Sequence, residues 1–187
     1  MEEILNSSLN SGEEILWRSH PEDFEILDQT HRSAFLRKAV IGAAIALGFI
    51  AILLFTGNLV PKSWILIVIA TLLCAIPAIN VYNDGSKLRK SEYIATSERL
   101  IVLRDAVRSA EYSKILSGGF LKDSDGHTSL LIGREALKAK PTKWREIAVV
   151  GMGSQENAEE VARFCFYALQ DIEPIKTILH EKVPSVF

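Results

Sequence analysis

Cysteines and catalytic motifs are scarce in this sequence. Its two cysteines, Cys74 and Cys165, lie far apart and have no partner at metal-ligand spacing, and its four histidines are scattered. Gly151-Met152-Gly153 is not a phosphate loop, because no Lys-Ser/Thr pair follows it, and no seryl or cysteinyl nucleophile motif occurs. The sequence therefore predicts a protein that is not an enzyme and that holds no metal and no cofactor.

Charge is missing from two long apolar runs, residues 39–55 and 64–79, which contain no Asp, Glu, Lys, Arg or His. A helix of about 18–20 residues crosses a hydrocarbon core of about 30 Å, and each run reaches that length with its uncharged flanks. We predict a transmembrane hairpin with a tight loop at residues 57–62. The alternative is a soluble protein with two buried core helices, although such helices usually carry a polar stripe.

Basic residues are concentrated at the two ends of this segment, whereas the loop has only Lys62. Because positive residues stay on the cytoplasmic side, both termini are predicted to be cytoplasmic. Trp64 and Tyr82 lie at opposite ends of the second run, where interfacial aromatic residues belong. The basic residues are Arg32, Arg37 and Lys38 before the first run, and Lys87, Arg89 and Lys90 after the second.

Small residues recur four positions apart in the first run, as Gly42 with Ala46 and as Ala44 with Gly48. This spacing lets helix backbones approach closely in lipid, and so it predicts packing between helices. Gly and Ala are also common in membrane spans in general, and both interpretations stay open.

Outside the two runs, short strand-like segments alternate with turns. The sequence from Asp123 to Gly126 indicates a hairpin turn between a strand at Phe120 and Leu121 and a strand at residues 128–132. The other predicted strands are residues 14–17, 93–96, 99–103, 106–112 and 144–150. Residues 133–143 are predicted to form a loop around Pro141.

The C-terminal part changes to helical spacing. Ser154 or Asn157 can begin a helix, and Pro174 is predicted to end or kink it. A short helix at residues 175–181 is expected to follow. The apolar face of the longer helix consists of Val161, Phe164, Cys165, Ala168, Leu169 and Ile172.

Together these elements predict an α+β membrane protein, with a two-helix transmembrane hairpin and a small antiparallel β-barrel or sandwich capped by a C-terminal helix. Residues 1–38 form a cytoplasmic N-terminal segment with a short strand, and residues 39–82 form the hairpin. Residues 83–173 form the cytoplasmic strand-rich domain, and residues 174–187 a tail or short helix. Whether residues 13–18 add a strand to that domain stays open.

The stretch from Tyr93 to Val102 resembles the opening of membrane-anchored bacterial pleckstrin-homology-like (PH-like) domains, with Tyr93, Thr96 and Arg99 at the positions of the motif. The lead-in at residues 12–17 is similar as well, and the order of segments matches over residues 12–172. The family often has Asn or Asp before the arginine, where this chain has Ser97-Glu98. The resemblance implies a bent antiparallel barrel capped by a C-terminal helix and transfers no ligand.

The charge distribution predicts a contact surface in the strand-rich part. Residues 83–150 carry 13 Lys or Arg against 9 Asp or Glu, and both flanks are acidic. Such residues can meet anionic headgroups, and the alternative is an ordinary solvated loop. The possible lipid or partner contacts are Lys87, Arg89, Lys90, Lys138, Lys140, Lys143, Trp144 and Arg145.

Arg99 has two interpretations that stay open. It can bind a phosphate or a partner carboxylate, or it can pair with an acidic residue across the barrel. Nucleic acid is not an expected partner, because the overall charge is −2 and basic residues do not alternate with aromatic residues as stacking surfaces need.

We therefore expect a non-enzymatic, membrane-anchored PH-like interaction module in the inner (cytoplasmic) membrane. Its expected partners are membrane lipids and a membrane protein or further copies of itself. One alternative is an accessory or assembly subunit of a larger membrane complex, such as a respiratory or photosynthetic one. Another is a membrane-bound enzyme, for which Asp125 and His127 are the first candidates.

Overall fold

The computed structural model describes residues 2–55, 63–150 and 159–187, and in the helix that begins at Ser63 it describes only part of the side chains. The predicted loop at 57–62, the helix starts at Ser154 or Asn157 and the sequence Gly151–Gly153 lie outside the described residues. The helices are α1 (Glu2–Ser8), α2 (Gln29–Phe55), α3 (Ser63–Leu88), α4 (Arg134–Lys138), α5 (Trp144–Val150) and α6 (Glu173–Lys182). The strands are β1 (Ile15–Ser19), β2 (Glu92–Thr96), β3 (Arg99–Leu103), β4 (Val107–Glu111), β5 (Gly118–Lys122), β6 (Thr128–Ile132) and β7 (Phe164–Phe166).

The strands form two antiparallel sheets, in the orders β1-β2-β3-β4 and β5-β6-β7. Strand β1 comes before the apolar helices, yet it pairs with β2, which follows them, and Ser19 lies opposite Tyr93. Residues 13–18 therefore do contribute a strand to this sheet. Strands β4 and β5 belong to different sheets, and the described strands close no barrel.

Strand β7 and its partner β6 are buried on both faces. Phe164 and Phe166 point into a central core, which also contains residues of the first sheet and Ile175 and Leu179 of α6. The alternate residue Cys165 points into a second cluster on the opposite face. Because both faces are buried, the strand has no polar alternation in its sequence.

The outer face of the first sheet is covered by the N-terminal helix α1. Leu5 of α1 packs against Ile94, Ile101 and Leu103, and all four side chains are buried. The opposite face of the same strands carries Tyr93 and Leu100 into the central core. The period of two along a strand thus gives both faces of β2 and β3 an apolar neighbour.

The chain divides into two compact units. The first, called here the sheet unit, contains residues 1–25 and 84–187, and the second, the helical unit, contains Ile26–Asn83. The sheet unit is therefore assembled from the two ends of the chain, and the helical unit is an insertion between them.

In the helical unit, α2 is long and apolar enough to cross a membrane by length and composition. Its most apolar 18-residue window has a mean hydropathy of 2.4, and only 11% of that window is buried. Asp28 stabilises the start of the helix, because its Oδ1 accepts a hydrogen bond from the His31 amide at 2.8 Å. Gly42 and Ala46 are buried on one face, whereas Ala44 and Gly48 are exposed.

Two sequence predictions in the C-terminal half are wrong. Residues Trp144–Val150 form helix α5 and not a strand, because Trp144, Ile147 and Ala148 recur at helical spacing and are all buried. The expected helix up to Ile172 is absent from its described part, which holds strand β7 and irregular chain. Both segments are short apolar runs, in which spacing alone does not separate helix from strand.

The remaining corrections are smaller. Pro174 does not end a helix but lies in the first turn of α6. Backbone N–H groups in a first turn have no partner within the helix, so proline, which lacks this group, loses no hydrogen bond there. The expected loop at 133–143 contains helix α4 and a 3₁₀ turn at Pro141–Lys143. The predicted strands of the first sheet and the hairpin turn between β5 and β6 are confirmed.

Candidate functional site

A buried cluster lies where the chain leaves the sheet unit and where it returns to it. Phe24 and Leu88 are both buried in this cluster, two residues before the helical unit begins and five residues after it ends. We call it the junction cluster, and it consists of Phe24, Leu88, Leu131, Ala136, Trp144, Ile147, Ala148, Val149, Cys165, Tyr167 and Ala168.

Arg145 of α5 is held inside this cluster, with only 1% of its surface exposed. Its guanidinium carbon lies 4.3 Å from the centre of the Phe24 ring and 5.0 Å from that of Tyr167. Its Nη2 donates to the Glu25 carbonyl at 3.0 Å. The planar, weakly hydrated guanidinium suits such a stacked and hydrogen-bonded site, which a lysine would not fill.

Tyr167 connects Arg145 to the hairpin turn between β5 and β6. Its hydroxyl accepts a hydrogen bond from Arg145 Nη2 at 3.2 Å and donates to Asp123 Oδ2 at 2.8 Å. Asp123 Oδ1 accepts from the backbone amides of Asp125 and His127 at 3.0 and 2.9 Å. Burial, more than any other influence, raises the pKa of Tyr167, and so the hydroxyl keeps its proton.

A second cation reaches the same ring. The Arg89 guanidinium lies over Phe24 with 5.6 Å between its carbon and the ring centre, and its Nη2 donates to the Phe24 carbonyl. The lead-in to the helical unit is also paired earlier, since the Glu22 amide donates to the Ala168 carbonyl. The chain entering the helical unit is therefore fixed by residues from three separate segments of the sheet unit.

The motif residue Tyr93 has a defined place in this architecture. Its ring stacks on Phe166 with 4.6 Å between centres, and its hydroxyl donates to the Tyr167 carbonyl at 2.8 Å. The same hydroxyl accepts the Tyr167 amide at 3.0 Å. Burial raises the pKa of Tyr93 well above its ordinary value, which keeps the hydroxyl in its donating form.

The motif residues Thr96 and Arg99 converge on Glu13, in the lead-in before β1. Arg99 Nε and Nη2 donate to the two Glu13 oxygens at 2.9 and 2.8 Å, in a bidentate pair. The Thr96 hydroxyl donates to Glu13 Oε1 at 2.6 Å. Burial alone would raise the pKa of Glu13, but the hydrogen bonds from Arg99, Asn10 and Thr96 outweigh it and hold that pKa below its ordinary value.

The eight basic and aromatic residues predicted as contacts fall into two groups. Trp144 and Arg145 are buried in or beside the junction cluster, so they do not belong to an exposed surface. The exposed members are Lys87, Arg89, Lys90, Lys138, Lys140 and Lys143. Of these, Arg89 is bound to Phe24, and Lys143 forms an ion pair with Glu146.

The side chains named as candidates for catalysis have the following surroundings. His127 Nδ1 lies 3.4 Å from Glu22 Oε2, and Asp125 has its amide in the hairpin turn. Burial raises the pKa of the Cys165 thiol, which disfavours the reactive thiolate.

An open cavity of about 360 Å³ lies near the Glu13–Arg99 pair. The side chains around it are polar or charged, and two of them are carboxylates, which suits solvent more than an apolar ligand. The lining residues are Asn10, Glu98, Arg99, Glu111 and Ser113.

Sequence reasoning missed Glu13, Asp123 and Tyr167 as members of these networks. Tyr167 was outside the predicted helical face, and Asp123 was assigned only to a turn. One signal was present: Arg145 interrupts an apolar run, and a cation in such a position is usually paired when the run is buried. Comparison of the chain with known protein families, with curated proteins and with solved structures found no match in any of the three.

Proposed function

We propose that this protein is a non-enzymatic, membrane-anchored interaction module. In this proposal α2 and α3 cross the cytoplasmic membrane as a hairpin and hold the sheet unit on the cytoplasmic face. There the sheet unit binds a membrane protein, another copy of the chain or lipid headgroups. Tethering raises the effective concentration for any partner in the same membrane, so weak contacts suffice.

The observation that carries the proposal is the pairing of β1 with β2 across the helical unit. Residues 1–25 and 84–187 form one compact unit, and that unit cannot assemble if its two parts lie on opposite sides of a bilayer. The segment between them therefore crosses a membrane an even number of times, if it crosses at all. Two apolar helices of 27 and 26 residues supply two crossings.

The exposed apolar surface of the helices supports lipid as their surroundings. On α2, Val40 and Leu47 are each 66% exposed. On α3, Leu72 is 61% exposed and Ile76 47%. A soluble protein rarely exposes large apolar side chains along a whole helix, because each one costs free energy in water, whereas lipid accepts them.

The orientation follows from the basic residues that flank the two runs, since positive residues are retained in the cytoplasm. The PH-like interpretation is supported by two antiparallel sheets, by α6 packing on the central core, and by fold roles for all three motif residues. It rests on that arrangement and on the motif.

Cysteine accessibility tests the topology. Single cysteines at Ser7 and Ser185, which are both exposed in the sheet unit, are introduced after Cys74 and Cys165 have been replaced by serine. We expect an impermeant thiol reagent to label both positions only from the cytoplasmic side of sealed vesicles. Labelling of the two positions from opposite sides would contradict the hairpin.

Crosslinking in intact membranes, followed by purification in mild detergent, tests the interaction. We expect the full chain to be recovered with a membrane-protein partner, with copies of itself or with a selected lipid. A chain recovered alone, monomeric and without lipid preference would refute the interaction module while leaving the topology intact.

One observation favours the narrower role of an accessory or assembly subunit. Ala44 and Gly48 form an exposed small-residue pair on α2, and such pairs allow close helix packing in lipid. Deletion of the gene is then expected to remove or shift one membrane complex on native gels. If every complex keeps its size and amount, this role is wrong.

A further inference from the structure

Two groups of lysines, far apart in the sequence, lie on the elements that carry the junction cluster. One group flanks Leu88, the buried cluster residue at the end of α3. The other group alternates with Leu137 and Ala139, which pack against the same cluster. We call these four residues the basic rim, and they are Lys87, Lys90, Lys138 and Lys140.

The basic rim consists of lysines that other parts of the chain have left to solvent. All four are exposed, and none forms an ion pair with a carboxylate among the described residues. Among the other described lysines of the sheet unit, Lys122 also has no ion pair, whereas Lys114 pairs with Glu111, Lys143 with Glu146, Lys176 with Glu173 and Lys182 with Glu181. Four of the five lysines without an ion pair in the described part of the sheet unit therefore lie on the elements around the junction.

Lys87 and Lys90 lie close along the chain to the position where the helical unit ends, and Lys140 lies five residues before Arg145, which contacts the chain just before that unit begins. Lys87 follows Asp84, the first residue after the helical unit, by three residues of helix, or about 4.5 Å. On the other side, Arg145 Nη2 lies 3.0 Å from the carbonyl of Glu25, the last residue before that unit. If α3 spans a bilayer with Tyr82 at its interface, Lys87 lies five residues of helix, or about 7.5 Å, beyond that interface, within the range of about 10 Å over which charges act in dilute salt.

We infer that the basic rim binds the anionic headgroups of the membrane that anchors the chain. The inference rests on the proposed function, because it needs the helices to be in a bilayer. Three exposed carboxylates on neighbouring segments, Asp23, Glu25 and Glu135, partly offset the rim. The attraction is therefore weaker than four lysines alone would give, and it is sensitive to salt.

Lysine footprinting on the full chain tests the inference. The protein is reconstituted into vesicles of phosphatidylcholine, with or without about 30% phosphatidylglycerol. An impermeant amine reagent then modifies it, and mass spectrometry gives the rate at each lysine. We expect Lys138 and Lys140 to react about threefold more slowly in anionic vesicles, and the difference to vanish at about 0.5 M salt.

The exposed lysines Lys122 and Lys176, on β5 and α6, serve as internal controls and are expected to react equally in both vesicles. They also correct for molecules whose sheet unit faces the vesicle interior. A matched pair of variants extends the test through the lipids that co-purify in mild detergent. Lys138→Gln with Lys140→Gln should lower the ratio of phosphatidylglycerol to phosphatidylcholine about threefold, whereas Lys122→Gln with Lys176→Gln should leave it unchanged.

The outcomes separate this inference from the proposal beneath it. If the chain stays in vesicles after a carbonate wash but its rim lysines react equally in both kinds of vesicle, the basic rim does not bind anionic headgroups. The proposal that the helices anchor the chain is then unaffected. A chain that carbonate extracts overturns the anchor itself. If the lysines of the rim react more slowly at a higher ratio of protein to lipid, whatever the lipid charge, the rim contacts protein. That result also overturns the inference.

Discussion

The sheet unit and the helical unit distribute their apolar side chains in opposite ways. In the sheet unit, large apolar residues such as Leu130 and Phe166 are fully buried, and two cores share the two faces of one sheet. In the helical unit, the buried positions of α2 include the small residues Gly42 and Ala46, while its large apolar residues point outward.

The free-energy cost of an exposed apolar side chain therefore depends on whether water or lipid surrounds it. An outward leucine costs free energy in water and nothing in hydrocarbon, so the outward apolar residues of α2 fit the proposed lipid surroundings, whereas the buried ones of the sheet unit fit water. Each prediction below contrasts a substitution in one unit with a matched substitution elsewhere, beginning with the largest expected effect.

Truncation of a core residue should separate the two units most strongly. Leu130→Ala removes a side chain that is 0% exposed in the central core, and we expect it to cost about 2–5 kcal/mol of stability. Leu47→Ala, at a position that is 66% exposed on α2, should cost less than about 1 kcal/mol. Thermal unfolding of the full chain in mild detergent measures the stability of both variants. Equal losses of stability would contradict the proposed difference between the two units.

Lysine substitutions at two equally exposed apolar positions, one in each unit, test whether α2 faces lipid. Ile45 on α2 and Leu116 before β5 are each 59% exposed. Ile45→Lys should reduce membrane integration by about 2.5–3.5 kcal/mol, because it places a charge in the apolar centre of a span. Leu116→Lys should change the carbonate-resistant fraction by no more than experimental error. If Ile45→Lys integrates fully, α2 does not face lipid at that position.

The Glu13–Arg99 pair gives the sheet unit a pH dependence. Because the pKa of Glu13 is lower in the folded chain than its ordinary value of 4.5, its contribution to stability is complete above that value and is lost as the pH falls through the lower, folded-state pKa. Glu13→Gln should cost about 2–3 kcal/mol at pH 7, since it leaves Arg99 without its bidentate partner.

The free energy of unfolding, measured between about pH 7 and pH 3, should then fall less steeply with decreasing pH for Glu13→Gln than for the unaltered chain. Glu14→Gln is the matched control, because Glu14 is the exposed neighbour of Glu13. An unchanged pH profile in Glu13→Gln would show that the pair does not stabilise the fold.

The smallest effect is expected from enlarging a small residue on α2. Ala46→Leu places a larger side chain at a buried position, and we expect it to cost about 1–3 kcal/mol of stability. Ala44→Leu, on the exposed face, should be neutral within about 0.5 kcal/mol. If only Ala44→Leu is harmful, the exposed face is the one that packs, against a partner in the membrane.

The parts of the fold that could be predicted from the sequence are those with local signals. Tyr93 to Leu103 alternates and turns as a hairpin, and the sequence from Asp123 to Gly126 supplies turn residues for the next one. Strand β7 could not be predicted, because its neighbours on both faces come from distant segments and it therefore lacks alternation. Helix α5 was likewise decided by packing against the junction cluster.

The site was harder to predict than the fold for a related reason. Arg145, at the start of the predicted strand 144–150, was predicted to be a lipid or partner contact because three lysines precede it, but long-range packing with Phe24 and Tyr167 buries it. The lysines around it do stay exposed. Sequence reasoning ranked these neighbours by charge alone, and only tertiary contacts distinguish a buried cation from a solvated one.

The pairing of β1 with β2 has a consequence during synthesis. About seventy residues separate the two strands, and a ribosome adding 5–20 residues per second needs about 4–15 seconds to deliver the second one. Throughout that wait the first strand has an open edge that a chaperone or a wrong neighbour can occupy. If the helices enter a membrane as proposed, the sheet closes only after both have been inserted and β2 has emerged on the side where β1 was left.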